Sequence, residues 1–353
     1  LISFLNSEGE GLLAVLSHKM NSLFRTLFIF FFGFASVQSF TNPAQLQAPS
    51  RPLSHAGDIS RASMSQTFSR VGLNNLYSSA SDIAQTEEEP LEWKKMGPAL
   101  SLGKLKLNVF GGWFLVMSCF GYAPVWLAGL GAVRLMHMVL KGWDPNLKMY
   151  DTVSQWWARV VLRTGGCWPS IEGAENMPPK DEAVMFVANH TSWFDIVCIS
   201  LLMGSKPFKF VSKGELLKVP VMGTSLKWGG HVLISRESRK SQMETLKKGV
   251  DWLKKGVSLI TFAEGTRSKN GRIKKFKRGA IKMALKGNTR IVPVSLVGMH
   301  RAFPAWAVMP ICPGGRFMRV VVHPPVATEG RDEGEIMEEV FAAVRAGLPA
   351  EQQ

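Results

Sequence analysis

The sequence of 353 residues has only four cysteines, and none of them is placed to build a metal site. Cys119, Cys167, Cys198 and Cys312 are far apart and lack the paired spacing of zinc ligands. We therefore predict no metal site and no disulfide framework. The chain also lacks a Gly-x-Ser-x-Gly motif, which argues against a serine hydrolase of the lipase type.

Acidic residues are scarce where basic residues are abundant. The formal net charge is +15, and residues 204–290 hold 22 Lys or Arg against 5 Asp or Glu. Such a charge favours anionic partners, namely phosphorylated small molecules, an anionic membrane, an acidic carrier protein or nucleic acid. A solvated basic surface without a specific partner is the alternative. Because the basic residues lack the interleaved aromatic side chains of single-strand binders, we predict no nucleic-acid partner.

A polar turn with the sequence Asn-His-Thr-Ser-Trp-Phe-Asp, residues 189–195, follows an apolar run over residues 183–188. The apolar run predicts a buried strand, and ligand crevices form at the ends of strands in α/β sheets. His190 and Asp195 can fold back into one hydrogen-bonded pair, a base with the carboxylate that orients it. The alternative is that His190 caps a helix and that Asp195 stands in its first turn.

Strands and helices alternate over the rest of the chain. This alternation predicts an α/β fold with a mainly parallel or mixed sheet flanked by helices. Ser238 is predicted to cap a helix that ends at Gly256. Pro293 stands inside a predicted strand and therefore predicts a sheet edge or a bulge. Further strands are predicted over residues 208–211, 231–235, 257–262, 290–297 and 317–322, and further helices over residues 280–285 and 335–345.

Two of these strands end in residues that suit an anion. Arg236 ends one strand, and the turn Glu264-Gly265-Thr266-Arg267 ends another. An Arg fork suits a phosphate monoester, and a Gly-Thr turn can offer backbone N–H groups to the same anion. Each motif alone is weak evidence for a function. Their combination is specific, because it places the polar turn, these two strand ends and the Pro-containing strand in this order.

With these four motifs the sequence resembles the glycerolipid acyltransferase family, and it is most similar to lysophosphatidate acyltransferases of bacteria and plastids. The similarity covers roughly residues 183–326. Ala263 departs from the family pattern, which usually has Pro before the Glu of the third motif. The segment 189–195 is similar to the family's catalytic motif, Arg236 to its second motif, residues 264–268 to its third and residues 292–294 to its fourth.

The resemblance implies a glycerolphosphate acyltransferase-like fold and a 1-acylglycerol-3-phosphate O-acyltransferase. Such an enzyme transfers a fatty acyl group from acyl carrier protein or coenzyme A to the sn-2 hydroxyl of lysophosphatidic acid, which gives phosphatidic acid. The thioester is a co-substrate, and no cofactor is expected. Glycerol 3-phosphate or another lysophospholipid is the alternative acceptor.

The resemblance also assigns roles to residues. His190 takes the proton of the acceptor hydroxyl, and Asp195 holds the ring. Glu264 either accepts a hydrogen bond from a glycerol hydroxyl or orients the arginines. The residues implied for binding the acceptor phosphate are Arg236, Glu264, Gly265, Thr266 and Arg267, with Lys213 and Lys277 as further candidates.

The N-terminal part has the composition of a targeting leader. The first Met is Met20, so residues 1–19 read as sequence upstream of the translated protein. Residues 20–39 are typical of a signal peptide. Residues 40–90 are typical of a transit peptide and linker, because their first part contains few acidic residues. A signal peptide followed by a transit segment that starts with Phe40 resembles the bipartite leaders of plastid proteins in algae with secondary plastids. We predict a plastid (chloroplast) membrane location, with the endoplasmic reticulum membrane as the alternative.

A membrane segment is predicted after the leader. Residues 107–133 contain no charged residue and no His over 27 positions, whereas a spanning helix needs roughly 20 apolar residues. Gly121 and Pro124 interrupt the segment, which leaves a single kinked span or a shallow helical hairpin. We predict a membrane-anchoring segment over residues 91–141, in contact with a lipid surface, and an acyltransferase domain over residues 142–350.

Overall fold

The computed structural model describes residues 99–102, 105–219, 221–234 and 238–353. The residues predicted to be upstream (1–19), the predicted leader (20–90), the start of the predicted anchoring segment (91–98) and Arg236 lie outside the described residues. Strands β1 (Ala99–Leu102) and β2 (Leu105–Asn108) form an antiparallel hairpin. The described chain then continues into one long apolar helix.

This helix consists of α1 (Val109–Met117), a π-helical turn (Ser118–Tyr122) and α2 (Ala123–Val139). Its 31 residues are long and apolar enough to cross a membrane, and 28% of its most apolar window is buried against the protein. Pro124 stands directly after the π-helical turn, within the continuous helix, where a proline removes one helical hydrogen bond. The described helix does not reverse within the segment, so the structure does not form the shallow hairpin.

A seven-stranded mixed sheet is the centre of the fold, with the strand order β3-β9-β8-β4-β7-β5-β6. Five of its neighbouring pairs are parallel, and only β8 and β9 are antiparallel. The predicted α/β class with a mainly parallel or mixed sheet is therefore confirmed. The strands are β3 (Ser170–Glu172), β4 (Met185–Ala188), β5 (Phe208–Lys213), β6 (Val232–Ile234), β7 (Ser258–Phe262), β8 (Ile291–Val297) and β9 (Arg319–Val322).

Helices cover both faces of the sheet because alternate strand residues point to opposite sides. Phe186 and Ala188 of β4 pack in the same apolar core as α1, α3 and α4. Met185 and Val187 pack in the opposite core with α6, α7 and α9. The helices are α3 (Lys148–Thr164), α4 (Phe194–Ser200), α5 (Met222–Trp228), α6 (Arg239–Lys254), α7 (Gly279–Gly287), α8 (Met299–Ala302) and α9 (Glu333–Ala346).

The predicted cap of α6 is confirmed. The Ser238 side chain accepts a hydrogen bond from the backbone of Ser241, and the Ser241 side chain accepts one from the Ser238 backbone. Gly256 follows the helix with φ of +79°, a conformation that glycine adopts without strain. The turn chemistry of these residues therefore sets both ends of the helix.

Pro293 does not mark a sheet edge, because β8 is an interior strand with β4 on one side and β9 on the other. The predicted alternative, a bulge, is present: Val294 pairs with Val322 but Ile291 pairs with Val326, so the register shifts by one residue around Pro293. Pro293 is tolerated by its position along the strand. Its carbonyl accepts a hydrogen bond from the backbone of His323, just after β9 ends at Val322. The missing N–H therefore falls at this shift of register, between the regular β8–β9 ladder and the two backbone bonds that join Ile291 to Val326.

A buried ion pair that the sequence did not predict joins α3 to β5. The Lys209 ammonium is fully buried and lies 2.8 Å and 2.7 Å from the two carboxylate oxygens of Asp151. Lys209 also donates to the carbonyl of Leu147, and Asp151 accepts from the backbone of Phe208. Burial raises the pKa of Asp151 to about 7 and lowers the pKa of Lys209. The pair ties the helix after the apolar segment to the sheet.

We predict that Asp151→Ala destabilises the fold by ~3–5 kcal/mol, because it leaves the Lys209 charge buried without its partner. The double substitution Asp151→Leu with Lys209→Met removes both charges and should lose less. Urea unfolding of the detergent-solubilised chain measures both changes. The exposed pair Glu182–Arg290 is the control, since Glu182→Ala should cost only ~0–1 kcal/mol. Equal losses for Asp151→Ala and Glu182→Ala would contradict a structural role for the buried pair.

Candidate active site

The structure brings His190 and Asp195 together at the carboxyl end of β4. His190 follows β4 in the connecting turn, and Asp195 stands in the first turn of α4. His190 Nδ1 lies 2.7 Å from Asp195 Oδ2. The same oxygen accepts the backbone N–H groups of Thr191 at 2.6 Å and Ser192 at 2.7 Å. Three donors converge on one buried oxygen, so the carboxylate holds both the ring and the turn.

This geometry leaves His190 Nε2 as the basic atom. Since Nδ1 faces an acceptor, the proton of the neutral ring lies on Nδ1 and the lone pair on Nε2. Burial lowers the pKa of His190, Asp195 raises it, and the charges of Arg267 and Lys213 lower it further. The ring stacks on Phe262 with a centroid distance of 4.1 Å. The imidazole is therefore a neutral base at neutral pH, and its side chain remains 15% exposed.

A second buried carboxyl group holds the backbone of His190. Glu264 Oε1 accepts the N–H of His190 at 2.8 Å, and the His190 carbonyl accepts the N–H of Ser268 at 2.8 Å. Glu264 is 3% exposed, and burial raises its pKa to about 8. The family resemblance implied that Glu264 contacts a glycerol hydroxyl of the acceptor or orients the arginines. In the structure Glu264 instead contacts the turn that carries His190.

Other side chains of the polar turn fasten it to neighbouring elements. Asn189 donates to the carbonyl of Leu296 at 3.0 Å and accepts its N–H at 2.8 Å. Ser192 Oγ donates to the carbonyl of Phe303 at 2.7 Å. Sequence reasoning missed these contacts, because their partners lie more than 100 residues away. They tie the turn to β8 and to the segment that follows α8.

Gly265 has a conformational role that differs from the predicted one. Its N–H donates to the carbonyl of Phe262 at 3.0 Å, so it is not available to a phosphate. This corrects the expectation that the Gly265 N–H binds the anion. Its φ is +72°, and a Cβ there would lie 2.9 Å from Lys277 Nζ. The glycine thus lets the Lys277 side chain lie across the turn. The next residue, Thr266, is exposed.

Cationic side chains surround the base. Arg267 lies close enough to Asp195 and His190 for their charges to interact, and burial lowers its pKa. Lys213, the last residue of β5, interacts with His190 in the same way. Together with Lys277 they give this edge of the sheet the charge that a phosphate ester requires. The described residues contain no cluster of His, Cys, Asp or Glu that could hold a metal ion.

Comparison with known proteins identifies the family. A family model described as acyltransferase matches residues 169–297, which include the whole of the polar turn and of the Glu264 turn. A 1-acyl-sn-glycerol-3-phosphate acyltransferase of Pseudomonas aeruginosa is 30% identical over 185 residues, which are 52% of this chain and 67% of that protein. The chain belongs to the acyltransferase family. The resemblance drawn from the four sequence motifs is thereby confirmed.

Two further members of the acyltransferase family are similar to this chain. A chloroplastic 1-acyl-sn-glycerol-3-phosphate acyltransferase of Arabidopsis thaliana is 34% identical over 211 residues, which are 57% of each protein. The crystal structure of the acyltransferase PlsC from Thermotoga maritima matches with a TM-score of 0.57 and 26% identity, over 68% of this chain and 93% of that one. The chain spans little more than half the length of the first curated relatives that it matches.

We predict that Glu264→Gln removes a pH-dependent weakness of this acyltransferase fold. A carboxyl with a raised folded-state pKa gives stability that is fully present below its unfolded pKa of ~4.3 and is lost as the pH rises through the folded value of about 8. The substituted amide would keep an oxygen for the His190 N–H without this titration. The melting temperature of the wild type should therefore fall relative to that of Glu264→Gln between pH 5 and pH 8.5. A constant difference over that range would contradict the buried, protonated state of Glu264.

Proposed function

We propose that the protein is a 1-acylglycerol-3-phosphate O-acyltransferase. It transfers a fatty acyl group from a thioester of acyl carrier protein or coenzyme A to the sn-2 hydroxyl of lysophosphatidic acid, and the product is phosphatidic acid. The observation that carries the proposal is the His190–Asp195 pair, whose basic Nε2 lies among cationic side chains at a strand end. The relatives from Arabidopsis thaliana and Pseudomonas aeruginosa are 1-acyl-sn-glycerol-3-phosphate acyltransferases, which supports the choice of acceptor.

The proposed mechanism is a direct transfer. His190 Nε2 accepts the proton of the acceptor hydroxyl while its oxygen attacks the thioester carbonyl. The C–S bond then breaks, and the leaving thiolate takes the proton from the imidazolium. Asp195 stabilises the imidazolium and keeps the ring oriented. General-base assistance of this kind accelerates a reaction by ~10²–10⁴-fold.

The acceptor phosphate binds beside the base in this proposal. Arg267 and Lys213 are close enough to influence the His190 ring electrostatically. Lys277 adds a third cation at the Gly265 turn. Arg236 and Thr266 keep the phosphate-binding role implied by the family resemblance. With the phosphate anchored, the free hydroxyl two carbons away is presented to His190, which lowers the entropic barrier to reaction.

We further propose a plastid membrane as the location, reached through the bipartite leader of residues 20–90. The chloroplastic relatives of Arabidopsis thaliana and Brassica napus support this address. The apolar helix from Val109 to Val139 supports attachment to the membrane. An enzyme that acts on a lysolipid gains from residing where its substrate partitions. The endoplasmic reticulum membrane remains the alternative location.

A substrate panel with the detergent-solubilised chain tests the proposed function. Phosphatidic acid should form from lysophosphatidic acid and an acyl thioester, whereas monoacylglycerol, which lacks the phosphate, should be a poor acceptor. His190→Ala should reduce turnover by ~10²–10⁴-fold or more because it removes the base. It also removes the stacking on Phe262 and the bond to Asp195, so circular dichroism must show that the variant is folded. Product from glycerol 3-phosphate alone would assign the alternative acceptor. Near-normal turnover in folded His190→Ala would contradict the mechanism.

A further inference from the structure

A loop of unusual charge follows the turn that holds the His190 backbone. We call residues 269–278 the basic loop. It contains no acid, and the chain has no Asp or Glu at all between Gly265 and Thr328. Each cationic residue of the loop is exposed. These residues form a positively charged surface, which we call the positive ledge, and they are Lys269, Arg272, Lys274, Lys275, Lys277 and Arg278.

The backbone of the basic loop is held in place from within. Phe276 is buried in the core on the α7 side of the sheet. The Ile273 N–H donates to the carbonyl of Gln352 at 2.8 Å, and the Lys277 N–H donates to the carbonyl of Ala263 at 2.9 Å. A surface whose charges stand on a fixed backbone binds a partner with a smaller loss of conformational freedom.

The basic loop borders the candidate active site. Lys274 Nζ donates to the carbonyl of Arg267 at 3.1 Å, and the Lys277 side chain lies across Gly265. Both contacts involve the turn whose Glu264 holds the backbone of His190. A partner docked on the loop would therefore stand beside the base.

The basic loop and the apolar helix are attached to different layers of the fold. The helix packs through residues such as Phe114 and Tyr122 in the core on the α3 and α4 side. Its outer face carries Phe120, 69% exposed, and Val139, 71% exposed. The loop is anchored through Phe276 in the opposite core. The helix and the loop are therefore anchored on opposite faces of the sheet, which favours a soluble acidic partner for the loop.

We propose that the basic loop is the docking surface for an acidic carrier protein that delivers the acyl chain as a thioester. This inference rests on the proposed acyltransferase function. A broad ledge of exposed cations complements an acidic protein surface, and charge complementarity of this kind accelerates encounter and fixes orientation. The carrier's thioester arm then extends past Lys277 and Arg267 towards His190.

Two charge-reversed variants of the full chain test the docking surface. Lys269→Glu with Lys275→Glu changes the loop without touching the residues that contact the site. The matched control is Lys254→Glu with Lys286→Glu, which gives the same net charge. Lys254 and Lys286 are exposed at the ends of α6 and α7, next to the starts of β7 and β8 and so at the opposite edge of the sheet.

Phosphatidic acid formation is measured with acyl carrier protein, acyl-coenzyme A and acyl-pantetheine as donors. The loop variant should lose about tenfold in kcat/KM for the acylated carrier protein. It should keep its rate with acyl-pantetheine and its KM for lysophosphatidic acid, and the control variant should resemble the wild type with every donor.

Several results would overturn the docking proposal. Equal losses in the two variants would show a general charge effect, and a loss confined to acyl-coenzyme A would assign the loop to nucleotide phosphates. Weaker binding of the loop variant to phosphatidylglycerol vesicles, with all donors equally affected, would assign it to the membrane. An unchanged kcat/KM of the loop variant for the acylated carrier protein would refute the docking proposal but not the proposed function. The absence of product with every donor would instead refute the proposed function.

Discussion

The site depends on one constraint, the fixation of His190 by two buried carboxyl groups from different parts of the chain. Asp195 holds the ring through Nδ1, and Glu264 holds the backbone N–H of the same residue. Neither contact alone would fix both the position and the orientation of the imidazole. A buried charge is costly unless it is hydrogen-bonded. The turn therefore supplies three donors to the Asp195 carboxylate, whereas burial raises the pKa of Glu264 to about 8 and favours its uncharged form.

The electrostatics of the site follow from this arrangement. Asp195 favours a charged ring, but burial and the positive charges of Arg267 and Lys213 favour a neutral one. The balance lowers the pKa of His190, which suits a base that must start without its proton. The same cations provide the environment for a phosphate ester. The charges that hold the proposed acceptor thus also keep the base ready to react.

Local patterns in the sequence predicted much of the fold but not its long-range polar contacts. The apolar runs became buried strands, and Ser238 with Gly256 set the ends of α6, because these signals depend on neighbouring residues. The edge position predicted from Pro293 failed, because strand order is a tertiary property. The Asp151–Lys209 pair and the Glu264 contact link residues 58 and 74 positions apart. No local pattern reports a partner at such a distance.

The structure presents His190 as a neutral base with its lone pair on Nε2. Nitrogen NMR of the chain labelled with ¹⁵N-histidine, with the His190 signals assigned by comparison with His190→Ala, tests this directly. At pH 7 we expect a protonated Nδ1 and an unprotonated Nε2, and we expect the ring to titrate with a midpoint below the ordinary value of ~6.5. A ring that is already an imidazolium at pH 7, or one that carries its single proton on Nε2, would contradict it.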